Sequence, residues 1–374
     1  MKEPIVSIEV SQIRIPGEIR HLRVDRYIHR NSKSRAIVMA TAFIENGYWF
    51  QIEKQAYSLA ERIAQEGFDV HVLSFELDAS ILKRQADLPS DASFTEIVCK
   101  HLPDYHEDLS EHYQEIHYLG HSYGVTMLAA FLLGYERRPD GSFFTDADLA
   151  RRNSRNVKSL ISLAGLWKLT WPYPTSFFSR EGLRSSVYPV LEKCAQLPIE
   201  RFVGALPVFP TGLLSYSKYM PTNALAMGVL SGLEAVGLMP SFRFQNADAE
   251  ALRLALSKGT GDESVETFLT VLNLHPRFDG IETRTRALSH FTEDLGEWKL
   301  PILFVQGACD QVTHPAVIRR YGYERIPIHK KSWVLLKNTG HQDMLTAKDA
   351  DFLFAKLKRW LSTFPSSQLA RDRA

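Results

Sequence analysis

Residues 116–133 read IHYLGHSYGVTMLAAFLL, and this stretch decides the fold. It begins with a short apolar segment typical of a strand, passes through Gly120 to Gly124, and ends in an apolar run typical of a helix. The central five residues fit the pattern G-x-S-x-G, in which a serine sits on a sharp turn between a strand and a helix. Such a turn exposes the serine hydroxyl, so Ser122 is predicted to be a nucleophile. The alternative is a glycine-rich turn with an incidental serine.

Strands and helices alternate on both sides of this turn. Helical spacing of apolar residues runs from 51 to 66, and period-two alternation within residues 5–30 predicts two antiparallel strands at the start of the chain. A continuous apolar run predicts a strand buried on both faces at 36–40, and further strands are predicted at 70–75, 157–163 and 301–305. The alternation predicts an α/β fold, with a mostly parallel twisted sheet and helices on both of its faces.

Two polar residues follow predicted strands late in the chain. Asp310 lies in GACDQV after the strand at 302–305, and His341 lies in NTGHQD after the strand at 333–336. A serine hydroxyl needs an adjacent base, and the chain order serine, aspartate, histidine is one in which such partners occur. We therefore predict that His341 is the general base and that Asp310 orients it. The alternatives are a turn aspartate and a loop histidine without a role.

Two neighbours of these residues are weaker candidates. Asp343 shares a loop with His341, and we expect it to cap a helix that begins near Met344 rather than to act as the acid. His121 precedes Ser122 in the turn, and we expect its ring to pack aside because the turn constrains its backbone.

The segments GHSYG, GACDQVTHP and NTGHQDM resemble the three catalytic segments of the α/β-hydrolase superfamily. The resemblance covers residues 33–166 and 299–364. It implies an α/β-hydrolase fold and a Ser-His-Asp mechanism through an acyl-enzyme. It also implies an oxyanion hole formed by the backbone N–H groups of Tyr123 and Phe43. The chain departs from the pattern at Thr41-Ala42, where many members have His-Gly, so the loop that carries the second donor is expected to differ in shape.

The alternation of predicted strands and helices is interrupted in the middle of the chain. Residues 1–166 and 299–374 are predicted to form the hydrolase core, and residues 167–298 are predicted to form an inserted helical cap. The cap is rich in aromatic residues and should contribute a largely apolar pocket for a small-molecule carboxylic ester or thioester with an apolar acyl or aryl group. The alternatives are acyl transfer to an alcohol or amine, a non-catalytic ligand-binding homologue, and an insertion that mediates a homodimer.

Composition bears on the binding partners, cofactors and location that can be expected for this protein. The 374 residues include 44 lysines and arginines against 43 aspartates and glutamates, so no basic surface for nucleic acid is expected. Three cysteines lie far apart without a CxxC pair, and we expect neither a metal site nor a cofactor. The sequence contains no uninterrupted apolar window long enough to span a membrane and no signal-peptide pattern near residue 1, so a cytoplasmic protein is expected.

Overall fold

The structure is a computed structural model that describes most of the chain before residue 168 and after residue 290. The described residues are 7–13, 20–29, 34–42, 45–77, 92–168, 208–209, 245–259, 263–264, 267, 270–271, 274, 288 and 290–364.

A single eight-stranded sheet forms the centre of the molecule. Its strands are β1 (Ser7–Ile13), β2 (Arg20–Ile28), β3 (Arg35–Ala40), β4 (Asp69–Leu77), β5 (Glu115–His121), β6 (Val157–Leu163), β7 (Ile302–Gly307) and β8 (Lys331–Leu336). Their order across the sheet is β1-β2-β4-β3-β5-β6-β7-β8. Strand β2 is antiparallel to both β1 and β4, and all other neighbours pair in parallel. The predicted mostly parallel α/β sheet is confirmed.

Parallel strands in this sheet are buried on both faces. Along β3, Ala36 and Val38 belong to one hydrophobic cluster, whereas Ile37 and Met39 belong to the cluster on the opposite face. Side chains alternate between the faces of a strand, so a strand covered on both sides must be apolar at every position. This requirement explains the continuous apolar run at 36–40.

Helices cover both faces of the sheet. They are α1 (Leu59–Ala64), α2 (Ala92–Glu96), α3 (Leu102–His112), α4 (Tyr123–Leu132), α5 (Ala147–Asn153), α6 (Ala249–Gly259), α7 (Phe291–Asp294), α8 (Pro315–Ile318) and α9 (Ala350–Leu361). Residues of α1, α6 and α9 pack in one hydrophobic cluster, and residues of α2, α3 and α4 pack in the other. Helix α4, which follows the G-x-S-x-G turn, is buried along its whole length. None of the helices in the described part of the chain is long and apolar enough to cross a membrane.

The helix predicted over residues 51–66 is shorter than expected. Two 3-10 helices, Gly47–Phe50 and Gln55–Tyr57, precede α1. The Ser58 hydroxyl accepts the N–H of Glu61 at 3.4 Å and so caps the amino end of α1. A capping serine has an extended backbone, so the α-helix begins only after it.

Much of the predicted cap, residues 167–298, lies outside the described residues. This is true of the helical patterns at Gly182–Leu197 and Thr222–Leu238. The pattern at Ala247–Ser257 is present as α6, whose buried residues belong to the same hydrophobic cluster as those of α1 and α9. The division into a core and a cap remains a prediction.

Candidate active site

A strained turn after β5 carries Ser122. Its backbone has φ 51° and ψ −118°, a conformation that residues other than glycine rarely adopt. The Ser122 N–H donates to the Leu163 carbonyl at 2.9 Å, and the Leu166 N–H donates to the Ser122 carbonyl at 3.0 Å. These two bonds to β6 and the loop after it hold the turn, because a strained conformation persists only where its surroundings impose it.

Both glycines of the turn are required by close backbone contacts. A Cβ atom on Gly120 would lie 2.5 Å from the backbone nitrogen of Val125, and one on Gly124 would lie 2.3 Å from the carbonyl oxygen of Ala40. Neither contact involves a flexible side chain that could move aside. The G-x-S-x-G pattern therefore reflects how tightly α4 approaches β3 and β5.

Three side chains from three loops meet at the carboxyl edge of the sheet, and we call them the candidate triad: Ser122, His341 and Asp310. The Ser122 Oγ lies 2.7 Å from Nε2 of His341, and Nδ1 of His341 lies 2.8 Å from Oδ2 of Asp310. All three residues are buried. With Nδ1–H donating to the carboxylate, Nε2 can accept the hydroxyl proton of the serine. The sequence predicted these residues, and the structure brings all of them together.

The Asp310 carboxylate accepts hydrogen bonds from other groups in addition to His341. Its Oδ1 accepts the backbone N–H groups of Val312 at 2.9 Å and Thr313 at 2.8 Å. Its Oδ2 also accepts the Thr313 hydroxyl at 2.6 Å and the Gln306 side-chain amide at 2.8 Å. Sequence reasoning missed Gln306 and Thr313, although a threonine three residues after a loop aspartate is a recognisable turn signal.

The loop that carries His341 is fastened by Asp343. Both carboxylate oxygens accept the N–H of Gly340, at 2.9 and 3.1 Å. Asp343 is itself the first residue of the 3-10 helix Asp343–Leu345, so the prediction that it caps a helix near Met344 is wrong. Its side chain closes the turn on the other side of the histidine instead.

The ring of His121 packs aside from Ser122, as expected, and both of its ring nitrogens have other polar partners. Nδ1 lies 3.0 Å from Oε2 of Glu45, and Nε2 lies 3.0 Å from the backbone carbonyl oxygen of His341. Burial on its own would lower the pKa of His121, but Glu45, the His341 carbonyl and Asp310 together raise that pKa above its usual value. Glu45 was not a candidate from the sequence, because nothing in its spacing links it to residue 121.

One of the two predicted oxyanion donors lies within the described residues. Tyr123 is the first residue of α4, and the first N–H groups of a helix have no acceptor within the helix. Phe43 lies outside the described residues. The N–H of its neighbour Ala42 donates to Oε2 of Glu45 at 3.3 Å, so it is already engaged by a side chain and does not serve as an oxyanion donor.

Histidine, cysteine and carboxylate side chains do not converge on a metal-binding arrangement in the described ranges. No group of three or more of them is placed there to hold an ion. Cys99 and Cys309 are partly buried, and the Cys99 thiol donates to the Tyr135 carbonyl at 3.5 Å.

Comparison with known proteins gives matches by structure. No family model matches the sequence, and no curated protein matches it. A monoglyceride lipase variant from Saccharomyces cerevisiae matches with a TM-score of 0.54 and 11% identity, over 96% of this chain and 97% of that chain. A monoacylglycerol lipase from Paleococcus ferrophilus matches with a TM-score of 0.52 and 10% identity, over 96% and 99% of the two chains. An esterase from Exiguobacterium antarcticum matches with a TM-score of 0.52 and 15% identity, over 94% and 99%.

At identities this low the matches bear on the fold alone. The matches cover nearly the whole chain, whose sheet has two antiparallel pairings, β1 with β2 and β2 with β4, beside a run of parallel strands. The chain therefore has the fold of the α/β-hydrolase superfamily.

Proposed function

We propose that this protein is a serine hydrolase that cleaves a carboxylic ester or thioester with an apolar acyl or aryl group. The observation that carries the proposal is the candidate triad itself. Ser122 sits on a strained turn with its Oγ 2.7 Å from His341, and His341 in turn lies 2.8 Å from Asp310. A nucleophile, a base within hydrogen-bonding reach and a group that orients the base are what nucleophilic catalysis by serine requires.

The first step is attack by the serine oxygen on the carbonyl carbon of the substrate. As the new C–O bond forms, Nε2 of His341 takes the hydroxyl proton and the carbonyl π electrons move onto the oxygen. Asp310 stabilises the imidazolium that results. Its fixed carboxylate is already oriented by four donors besides the histidine, so little reorganisation accompanies the proton transfer.

Collapse of the tetrahedral intermediate gives the acyl-enzyme. The Tyr123 N–H at the start of α4 is one proposed donor to the developing oxyanion, and the Phe43 N–H is the other. His341 returns its proton to the leaving alcohol or thiol. Water then attacks the acyl group by the same route and restores Ser122.

The choice of substrate class rests on the predicted cap and on the structural neighbours. The cap sequence, 167–298, is rich in aromatic residues, and we propose that it binds the acyl or aryl group. The names of the matched proteins, a monoglyceride lipase, a monoacylglycerol lipase and an esterase, make a carboxylic ester the first class to test.

The test is a substrate panel assayed with the full-length protein. It consists of p-nitrophenyl esters of graded acyl length together with acyl-coenzyme A thioesters, each measured with wild type and with Ser122→Ala. We expect hydrolysis of at least one class by wild type and its loss in the variant. Activity that survives Ser122→Ala unchanged would contradict the proposal.

A further inference from the structure

A buried charged pair lies directly behind the candidate triad. The side chains of Glu45 and His121 are both fully buried and lie 3.0 Å apart. The other ring nitrogen of His121 lies 3.0 Å from the carbonyl oxygen of His341, the proposed base. The rings of His121 and His341 have their centroids 5.3 Å apart.

The partners of His121 determine its protonation. A carboxylate oxygen and a backbone carbonyl oxygen are both acceptors, so the two bonds together need an N–H on each ring nitrogen. Glu45 is itself surrounded by further donors, the Ala42 N–H at 3.3 Å on Oε2 and the Gln342 amide at 3.0 Å on Oε1. Donors on both oxygens favour the ionised carboxylate over the acid. The pair is therefore an imidazolium and a carboxylate.

The same carboxylate joins three segments of the active-site edge. Through Ala42 it holds the loop after β3, which carries the proposed donor Phe43. Through His121 it holds the turn of Ser122, and through Gln342 it holds the loop of His341. These segments come from distant parts of the chain and must be placed within fractions of an ångström for catalysis.

The pair also balances charge beside the base. His341 becomes a cation while it carries the serine proton, and a second imidazolium next to it would oppose that step. The charged and titratable groups that face His121 are Glu45, His341 and Asp310. Glu45 neutralises His121 locally, so the carboxylate of Asp310 remains free to stabilise His341.

We propose that Glu45 and His121 form a buried, ionised positioning pair that holds the base loop and the oxyanion loop in register with Ser122. The role of the pair in catalysis rests on the proposed hydrolase function, whereas its ionisation is a property of the resting protein. Each residue acts through His341 or Ala42 and needs no contact with substrate.

The ionisation is tested first, without any assay of activity. Ring nitrogen chemical shifts of the histidines are measured by NMR at about pH 8, above the ordinary histidine pKa of ~6.5. The His121 signals are assigned by their loss in His121→Asn. We expect a doubly protonated ring at this pH in wild type, and a neutral ring there would overturn the proposal.

The second test replaces Glu45 with its neutral isostere. In Glu45→Gln the second proton of His121 is no longer stabilised, so either the His341 carbonyl or the Ala42 N–H loses its partner. Loss of one such buried bond should lower kcat about 10- to 100-fold with KM nearly unchanged, and the His121 ring should become neutral. Glu53→Gln is the matched control, since Glu53 is exposed and pairs with Lys258 at the surface.

The outcomes separate this inference from the proposed function. Equal kcat for Glu45→Gln and Glu53→Gln would overturn the positioning role. If Glu45→Gln does not fold, the protonation state of the His121 ring in the wild-type protein still tests whether the pair is ionised. Hydrolysis that does not depend on Ser122 would remove the proposed function while leaving the ring measurement valid.

Discussion

A serine, a histidine and a carboxylate are hydrogen-bonded in series at both edges of the sheet, but the two sets differ in what surrounds them. The candidate triad lies at the carboxyl edge. At the amino edge, Nδ1 of His117 lies 2.8 Å from the Ser159 hydroxyl, and Nε2 lies 3.0 Å from Glu115. We call Ser159, His117 and Glu115 the amino-edge set. Its distances are close to the 2.7 and 2.8 Å of the candidate triad, so distance alone does not distinguish the two sets.

Backbone conformation and packing partners distinguish the two serines. Ser159 lies inside β6, whereas Ser122 lies on a strained turn outside the strand. The Ser159 oxygen also accepts the indole N–H of Trp360 at 3.1 Å, and the residue has no exposed surface. His117 next to it is packed against the rings of Phe68 and Phe364. An electrophile has no room to approach Ser159.

Electrostatics also separates the two histidines. Burial lowers the pKa of His117, and the opposing effect of Glu115 does not restore it. Burial would raise the pKa of Glu115, but its bonds to His117 and Arg35 lower that pKa below its usual value. The Glu115 carboxylate is thus paired with the Arg35 guanidinium at 2.9 Å and is not available to stabilise an imidazolium. The comparison teaches that hydrogen bonds in series are not enough: a reactive set also needs a serine outside the packed strand and a carboxylate that is not paired with a permanent cation.

The largest difference is expected between the two histidines. His341→Ala should lower kcat for the best ester about 10⁶-fold, because the members of a catalytic triad act as a unit. His117→Gln should leave kcat within about twofold, since His117 contacts no reacting atom. Steady-state kinetics of both variants measures this. Comparable losses in the two variants would contradict the distinction between the two sets.

A smaller difference is expected between the two carboxylates. Asp310→Asn should lower kcat roughly 10⁴-fold, because the histidine is then held in the wrong tautomer. Glu115→Gln should keep kcat but reduce the free energy of unfolding by about 3–5 kcal/mol, since it leaves Arg35 without its buried partner. Kinetics together with urea unfolding separates the two effects. A loss of kcat in folded Glu115→Gln protein would argue against a purely structural amino-edge set.

The smallest expected effect is on the pH dependence of stability. The pKa of His117 is lower in the folded protein than its ordinary value, so the unfolded chain binds more protons below about pH 6.5. The stability that comes from this neutral histidine is complete above that pH and is lost as the pH falls. His117→Gln should therefore lose less stability on acidification than wild type, by at most about 1.4 kcal/mol per pH unit. Urea unfolding at about pH 7.5 and about pH 5.5 checks the difference, and parallel losses in both proteins would contradict it.

Local pattern was sufficient to predict the strands, the turn and the order of the candidate triad. The apolar run at 36–40 and the motif around Ser122 each have a direct structural cause, burial on both faces in one case and close backbone contact in the other. The strand and helix alternation predicted the fold, which is confirmed. The catalytic role of the triad remains a proposal.

Contacts between distant residues could not be predicted in the same way. Glu45 and His121 are 76 positions apart, and His121 and His341 are 220 positions apart. No periodicity links such residues, because their contact is created by the order of strands in the sheet. The amino-edge set was missed for the same reason, since His117 and Ser159 lie on neighbouring strands that are 42 positions apart.

Covalent labelling of the two serines tests the central claim most directly. Folded wild type is treated with a fluorophosphonate probe, the modified residue is located by peptide mass spectrometry, and Ser122→Ala and Ser159→Ala are treated in parallel. Only a serine that is activated by its base and open to an electrophile reacts with such a probe. We predict one label per chain, on Ser122, which is lost in Ser122→Ala and retained in Ser159→Ala. Labelling on Ser159, or labelling that persists in folded Ser122→Ala, would contradict the account.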